Sequence, residues 1–296
     1  MVLHIPVLQK EVLQYLDPKP NENFVDCTID GGGHALSILE KIKPNGRILG
    51  IDLDEEIIRG LEIKKQELNT NNLILVPGNY VNLKEIVEKI NFRPISGILL
   101  DLGMSSRQLE ESGRGFSFQK NEPLDMRYSK IRGKITAADI LNNFTEHEIE
   151  NILREYGEER FSRKIAREII SAKEIRPLET TFQLVEIIKK AVPGRCQKGK
   201  LHFATRTFQA LRIAVNSELD NLKKVLPQAI EVLAPGGRIV IISFHSLEDR
   251  IVKKFFREKG QNLKILTKKP VGASSEETKS NPRSRSAKLR AALRAT

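Results

Sequence analysis

Three short apolar runs in the first third of this chain each end on an aspartate: Phe24-Val25-Asp26, Arg47-Ile48-Leu49-Gly50-Ile51-Asp52, and the run over 95–101 that closes on Asp101. The runs are too short for helices and are bounded by Gly, Pro and Asn, as buried strands are. Between and around them lie segments of helical period at 34–42, 54–68 and 81–90, with one more strand at 73–76. The resulting β-α-β-α-β-α-β order predicts a parallel sheet with right-handed crossovers and helices on both faces. Strand ends on the carboxyl side of such a sheet are where ligands bind, so the three aspartates are predicted to share one functional edge.

The next strand, over 238–244, is entered through Ala234-Pro235-Gly236-Gly237. Between Asp101 and Arg238 lie 136 residues, whereas a crossover needs only about a dozen. Residues 105–134 are rich in Gly, Ser, Arg and Asp and read as a long functional loop. Helical pattern follows, with Thr145-x-x-Glu148 as a capping box for a helix ending near Tyr156-Gly157, then helices at about 158–173 and 181–192. The expected organisation is an α/β domain formed by 1–104 and 205–296, with a helical, substrate-recognising subdomain inserted at 105–204. Beyond it, Ser246-Leu247-Glu248-Asp249 signals a helix to about Lys259, 263–267 a strand, 270–285 a loop, and 286–294 a final edge strand.

Composition narrows the classes. No apolar stretch approaches the ~20 residues that span a bilayer, and the N-terminus lacks signal-peptide order. Cys27 and Cys196 offer neither a disulfide framework nor a metal-ligand cluster, so a cytoplasmic protein without metal is expected. Net charge is +11, and it is unevenly placed: residues 251–296 hold 13 basic and 3 acidic side chains, while the other 250 residues hold 36 and 35. A neutral body with a basic end fits one polyanion-facing flank or a solvated tail.

The sharpest local feature is Asp26-Cys27-Thr28-Ile29-Asp30-Gly31-Gly32-Gly33-His34, at a strand-to-helix turn. It is neither a phosphate loop nor G-x-G-x-x-G. Alone it fits plain strand-to-helix packing as well as a cofactor turn. Asp52 stands about twenty residues on, where a carboxylate accepts hydrogen bonds from ribose hydroxyls. A pocket lined by acids suits a cationic nucleoside such as S-adenosylmethionine better than a dinucleotide pyrophosphate, which favours methyl transfer over hydride transfer.

Longer motifs follow in order. They are His4-Ile5-Pro6-Val7-Leu8, Gly97-Ile98-Leu99-Leu100-Asp101-Leu102-Gly103-Met104-Ser105-Ser106, Arg114-Gly115-Phe116-Ser117-Phe118 and Pro123-Leu124-Asp125-Met126-Arg127. Tyr156 to Phe161, Ala204 to Arg212, Ile242 to Arg250 and Asn281 to Ser286 continue them. With these the whole chain resembles the bacterial small-subunit ribosomal-RNA cytosine-N4 methyltransferases. The resemblance implies a Rossmann-like class I S-adenosylmethionine-dependent methyltransferase sheet with an inserted all-helical subdomain. It implies methylation of the exocyclic N4 amine of a cytidine in the decoding region of 16S rRNA, within the small ribosomal subunit, and leaves a homodimer open. The family's cofactor contacts fall on Gly32, Gly33, His34, Asp52, Tyr80, Asp101 and Gln108. Two positions depart from the family pattern: Asp30 stands where glycine is usual, and Phe203 where proline is.

The exocyclic amine is a poor nucleophile, so an acceptor that pulls on its N–H as it attacks in line is the expected catalytic device. Alignment of the reactants supplies ~7–11 kcal/mol of such a barrier. Asp101, or the oxygens of the loop through Ser105 and Ser106, are the candidates for that acceptor. His245, at the tip of the next strand, is a candidate for touching base or phosphate, or else a helix cap. Arg114, Phe116 and Phe118 fit either an RNA-stacking platform or a self-anchored loop. Asp125 and Arg127 read as a structural ion pair. His202 and Arg206 are open to a role on phosphate, and Cys196 reads as a surface thiol. The readings from other classes are a non-enzymatic RNA-binding assembly factor, for which Asp30 speaks, and an amino-methyltransferase acting on DNA or a small amine.

Overall fold

A computed structural model describes residues 6–104, 108–109, 111–129, 135–199 and 201–295. The chain divides into two compact units, Met1–Gly103 with Leu219–Thr296, and Met104–Glu218.

The first unit carries one seven-stranded sheet. Its strands are β1 Phe24–Asp26, β2 Ile48–Asp52, β3 Leu73–Pro77, β4 Gly97–Asp101, β5 Arg238–Ser243, β6 Leu263–Ile265 and β7 Lys288–Arg294, in the spatial order β3-β2-β1-β4-β5-β7-β6. β1 to β5 pair in parallel, and β7 runs antiparallel to both of its neighbours. Side-chain alternation assigns the two faces. Val25, Leu49, Ile51, Ile98, Leu100, Ile239 and Ile241 point to one core. There they meet α4 (Leu83–Lys89), α11 (Glu218–Val232) and α12 (Ser246–Glu258). Phe24, Ile48, Leu99, Val240 and Ile242 point to the other, beneath α1 (Gln9–Leu16), α2 (Gly33–Lys41) and α3 (Glu55–Glu67).

The last strand departs from expectation. It lies between β5 and β6, not at an edge. Leu289, Ala291 and Ala292 are wholly buried, and the one charged side chain among them, Arg290, pairs with Asp249 at 2.6 and 3.2 Å. Local pattern shows that such a run is extended but not which strands flank it. Residues 270–285 are also more ordered than a loop, with a short helix α13 (Ser275–Ser280) and a 3-10 turn over Pro282–Ser286.

The second unit is helical, with α5 (Ala137–Asn143), α6 (Glu146–Gly157), α7 (Ser162–Ile175), α8 (Thr181–Ala191), α9 (Gly194–Gln197) and α10 (Thr205–Asn216). Thr136, Thr145 and Thr180 each open a helix with a reciprocal capping box. The boundary expected after 204 falls instead after 218, because α10 buries Phe208, Ala210, Leu211 and Val215 in the helical core.

The long loop anchors itself in this core. Arg114 is buried and donates to the carbonyls of Tyr128 (2.8 Å) and Arg127 (3.3 Å). Phe116 stacks on Tyr128 with centroids 5.5 Å apart. Of the two readings for Arg114 and Phe116, the geometry favours the anchored loop. Asp125 and Arg127 form the expected ion pair at 2.7 Å. Arg206 donates to the carbonyl of Glu158 at 2.7 Å, and Cys196 is exposed.

Candidate active site at the carboxyl edge of the sheet

Asp26, Asp52 and Asp101 end β1, β2 and β4, and the parallel pairing of these strands sets them along one edge. The connections between them are made by the backbone of the first turn. Thr28 N–H donates to Asp26 Oδ1 (3.1 Å), and Asp101 N–H donates to Thr28 Oγ1 (2.7 Å). Asp52 accepts from Asp30 N–H (3.1 Å) and from Asp54 N–H (2.9 Å). Those two bonds fix the orientation of the Asp52 carboxylate while leaving lone pairs on both oxygens.

The glycines of the turn have separate tasks. Gly32 has φ +76°, and a Cβ there would stand 2.9 Å from Leu61 Cδ2. Gly33 opens α2 in ordinary geometry, and a Cβ would meet the Pro6 ring at 2.5 Å. One glycine answers to backbone handedness and the other to internal packing. Asp30 has φ +43°, in the left-handed region that aspartate tolerates better than most residues.

His34 follows directly, 3.6 Å from Asp101 Oδ2 through Nε2 and only 8% exposed at its side chain. Neither of its ring nitrogens has a hydrogen-bond partner in the structure. A buried imidazole with two unsatisfied nitrogens is costly, and so marks a place built to meet another group. Burial raises the Asp26 carboxyl to about 7, against the charge of His34 and the Thr28 N–H, which pull it down. Burial likewise pushes Asp52 to about 7, opposed by the N–H groups of Asp54 and Asp30. The edge therefore gathers carboxyl groups whose charged form burial disfavours, with the His34 imidazole as a basic neighbour.

Tyr80 begins the 3-10 turn after β3 and packs partly buried on the sheet core. Gln108 is buried within the helical unit. Ser105 and Ser106 lie outside the described residues. His245 is the N-cap of α12, one residue earlier than the expected Ser246 signal. Its Nδ1 accepts from Glu248 N–H at 3.4 Å, and its Nε2 stands 3.1 Å from Glu248 Oε1. The Glu248 carboxylate in turn accepts from the N–H groups of Phe244 (2.8 Å) and His245 (3.2 Å). His245 therefore serves as a cap through Nδ1, while its buried Nε2 has no hydrogen-bond partner among the described residues. The cap fixes Phe244, whose ring packs where a Cβ on Gly103 would come within 2.8 Å. This contact between Phe244 and Gly103, two residues from Asp101, was not visible in the sequence. The unusual cap residue, His in place of Ser or Thr, hid it.

In sheet order, in the single reversed strand and in the acid-lined carboxyl edge, this unit is a Rossmann-like class I S-adenosylmethionine-dependent methyltransferase fold. A model of the MraW methylase family matches residues 1–295. The chain is 47% identical to ribosomal RNA small subunit methyltransferase H of Heliobacterium mobile, over 98% of each protein. It is 50% identical to the protein of that name from Thermosipho melanesiensis, over 98% of this chain and 97% of the relative. A solved putative rRNA-methylase from Clostridium thermocellum, 12% identical, aligns over 99% of this chain and 100% of that one with a TM-score of 0.49. The chain belongs to the MraW methylase family.

Proposed function

We propose that this protein methylates the exocyclic N4 amine of a cytidine in the decoding region of 16S rRNA, in the cytoplasm and within the small ribosomal subunit. The observation that carries the reading is Asp101, partly exposed at the end of β4 beside the unsatisfied imidazole of His34.

The residues fit S-adenosylmethionine. The main-chain N–H groups of Gly33 and His34 stand at the start of α2, that of Gly32 being taken by the Ile29 carbonyl at 2.8 Å, and Asp52 offers oriented acceptors to a ribose. Carboxyl groups held up by burial favour a cationic ligand over an anionic one. Tyr80 completes the cofactor contacts proposed on the first unit. When bound, S-adenosylmethionine supplies an activated methyl group on its sulfonium.

Asp101 accepts a hydrogen bond from the cytosine amine and draws the nitrogen lone pair out of conjugation with the ring. Gly103 N–H lies 3.4 Å from Asp101 Oδ1 and helps hold that oxygen in place. His245 acts at a distance, through its cap on Phe244. After transfer the amine nitrogen loses its proton readily, so Asp101 need not be a strong base.

Mass mapping of modified nucleosides in 16S rRNA from a strain lacking the gene tests the reading. N4-methylcytosine is expected to disappear from one position and return with the gene. An unchanged profile overturns the assignment, and calorimetry showing no S-adenosylmethionine binding at millimolar concentration overturns the enzyme.

A further inference from the structure

The register of the sheet carries the edge beyond the site. Asp101 of β4 lies opposite Ile242 of β5, and the next residue, Ser243, lies opposite Lys288 of β7. Leu289 is bridged in turn to Val271, which places the segment carrying Lys268 and Lys269 outermost. With strands spaced by ~4.8 Å, the Lys288 main chain is on the order of 10 Å from that of Asp101.

This outer part of the edge is cationic. Lys268, Lys269, Lys279 and Arg285 are exposed and Lys288 is partly so. Among the described residues none of these five has an acidic partner. Of the acids nearby, Glu276 is exposed in the first turn of α13, and three others are committed elsewhere. Asp249 binds the buried Arg290, Glu277 accepts from Leu8 N–H at 2.7 Å, and Glu248 serves the cap. On the other side of Asp101 the same edge carries Asp26, Asp30, Asp52 and Asp54. A polyanion reaching Asp101 is repelled from the β1–β2 side and attracted to the β7–β6 side.

We infer that the carboxyl edge over β5, β7 and β6 is a track for the phosphates of the RNA strand flanking the target nucleotide, with Lys268, Lys269, Arg285 and Lys288 as its contacts. The inference rests on the proposed rRNA substrate. It separates these side chains from the basic outer face of α12, where Lys253, Lys254 and Arg257 are exposed, Lys254 lies 3.7 Å from Glu258, and all three project from a helix that leaves the edge.

The test compares two triple charge reversals of equal size in the full-length protein, with unmethylated 16S rRNA as the probe. One is Lys268→Glu, Lys269→Glu and Arg285→Glu, and the other is Lys253→Glu, Lys254→Glu and Arg257→Glu. The edge variant is expected to lose at least tenfold in RNA affinity and to lower the slope of log K against log salt by about 2. The helix variant is expected to change affinity less than threefold, and both to bind S-adenosylmethionine within twofold of wild type. Equal losses in the two variants, or an unchanged edge variant, overturn the track. If the edge variant does not fold, its Gln counterpart, read for the same slope, decides. Wild-type protein that binds S-adenosylmethionine but no 16S rRNA would overturn the proposed substrate instead, a distinct outcome.

Discussion

The two halves of one sheet edge, β2–β1–β4 and β5–β7–β6, are built from the same kind of strand and charged with opposite sign. The acidic half withdraws its charge from water in part: Asp26 and Asp54 are buried, and Asp30, Asp52 and Asp101 are half-buried. Asp26 is 2% exposed, and its carboxyl is raised by desolvation. The basic half leaves its charge in water, with Arg290 as the exception. Buried acids beside an unsatisfied imidazole suit a small cationic ligand enclosed by the fold, whereas solvated lysines and arginines suit a long anion that stays outside. Charge sign alone does not separate a cofactor pocket from a nucleic-acid surface, but sign combined with burial does.

The exception gives the largest expected effect. Arg290 and Asp249 are 7% and 15% exposed at their side chains, so Asp249→Ala leaves a buried guanidinium without its partner. Such losses cost about 3–5 kcal/mol. Urea unfolding should show a drop of that order, and Asp249→Ala with Arg290→Leu should recover most of it. A cost under about 1 kcal/mol in the single variant would mean that Arg290 reaches water, and it would then rejoin the solvated cations.

Next in size is Asp101→Asn. The amide keeps shape and a carbonyl acceptor but loses the negative charge that draws on the amine. At saturating S-adenosylmethionine and RNA, kcat is expected to fall about 100-fold or more, with RNA affinity unchanged. Full activity would remove Asp101 as the acceptor and pass that part to the loop through Ser105 and Ser106.

A third prediction turns on pH. The Asp26 carboxyl is raised from 3.8 to about 7 in the folded protein. Below pH ~3 it is largely neutral in both states and costs little. From there upward the unfolded chain ionises first, so stability is lost progressively, and the loss is complete once pH exceeds about 7. At 1.36 kcal/mol per unit, the full cost is about 4 kcal/mol. Asp26→Asn, which keeps an acceptor for Thr28 N–H, should therefore stabilise the cofactor-free protein by about 1–3 kcal/mol at pH 8 and by almost nothing at pH 3. A uniform loss at both pH values would show that Asp26 serves as a structural acceptor only, and would break the contrast between buried acids and solvated bases. By the same sign, a cation entering this half lowers the pKa of Asp26 and Asp52, so S-adenosylmethionine affinity should rise between pH 5.5 and 8.

Much of the acidic half was legible in the sequence. β1, β2 and β4 are apolar runs stopped by aspartate, and parallel pairing leaves little choice about which ends coincide. The basic half was legible only as composition. Its net charge could be counted, but its placement depends on β7 inserting between β5 and β6, a long-range pairing that no local pattern encodes. Burial was the other blind spot. Arg114 and Phe116 look like RNA-binding residues by type, and only the packing around Tyr128 shows them turned inward. His245 was visible as a strand-end histidine, yet its capping partner Glu248 was read as belonging to a box opened by Ser246.

The smallest expected effect concerns Asp30, the left-handed aspartate of the first turn. Its own N–H donates to Asp52 Oδ2, and a glycine in its place can keep that bond because the backbone supplies it. Asp30→Gly relieves left-handed strain but frees the unfolded chain by a similar amount, of order 0.5–1 kcal/mol. Stability should therefore move by less than about 0.5 kcal/mol. What remains is electrostatic: the Asp30 charge raises the Asp52 carboxyl, so the variant should shift the pH dependence of S-adenosylmethionine binding to lower pH. Affinity at pH 8, where Asp52 is ionised in either protein, should stay within about threefold. A tenfold loss there would make Asp30 a holding residue in its own right. The acidic half would then depend on a half-buried carboxylate in the turn as well as on the buried ones, and burial would no longer divide the two halves of the edge.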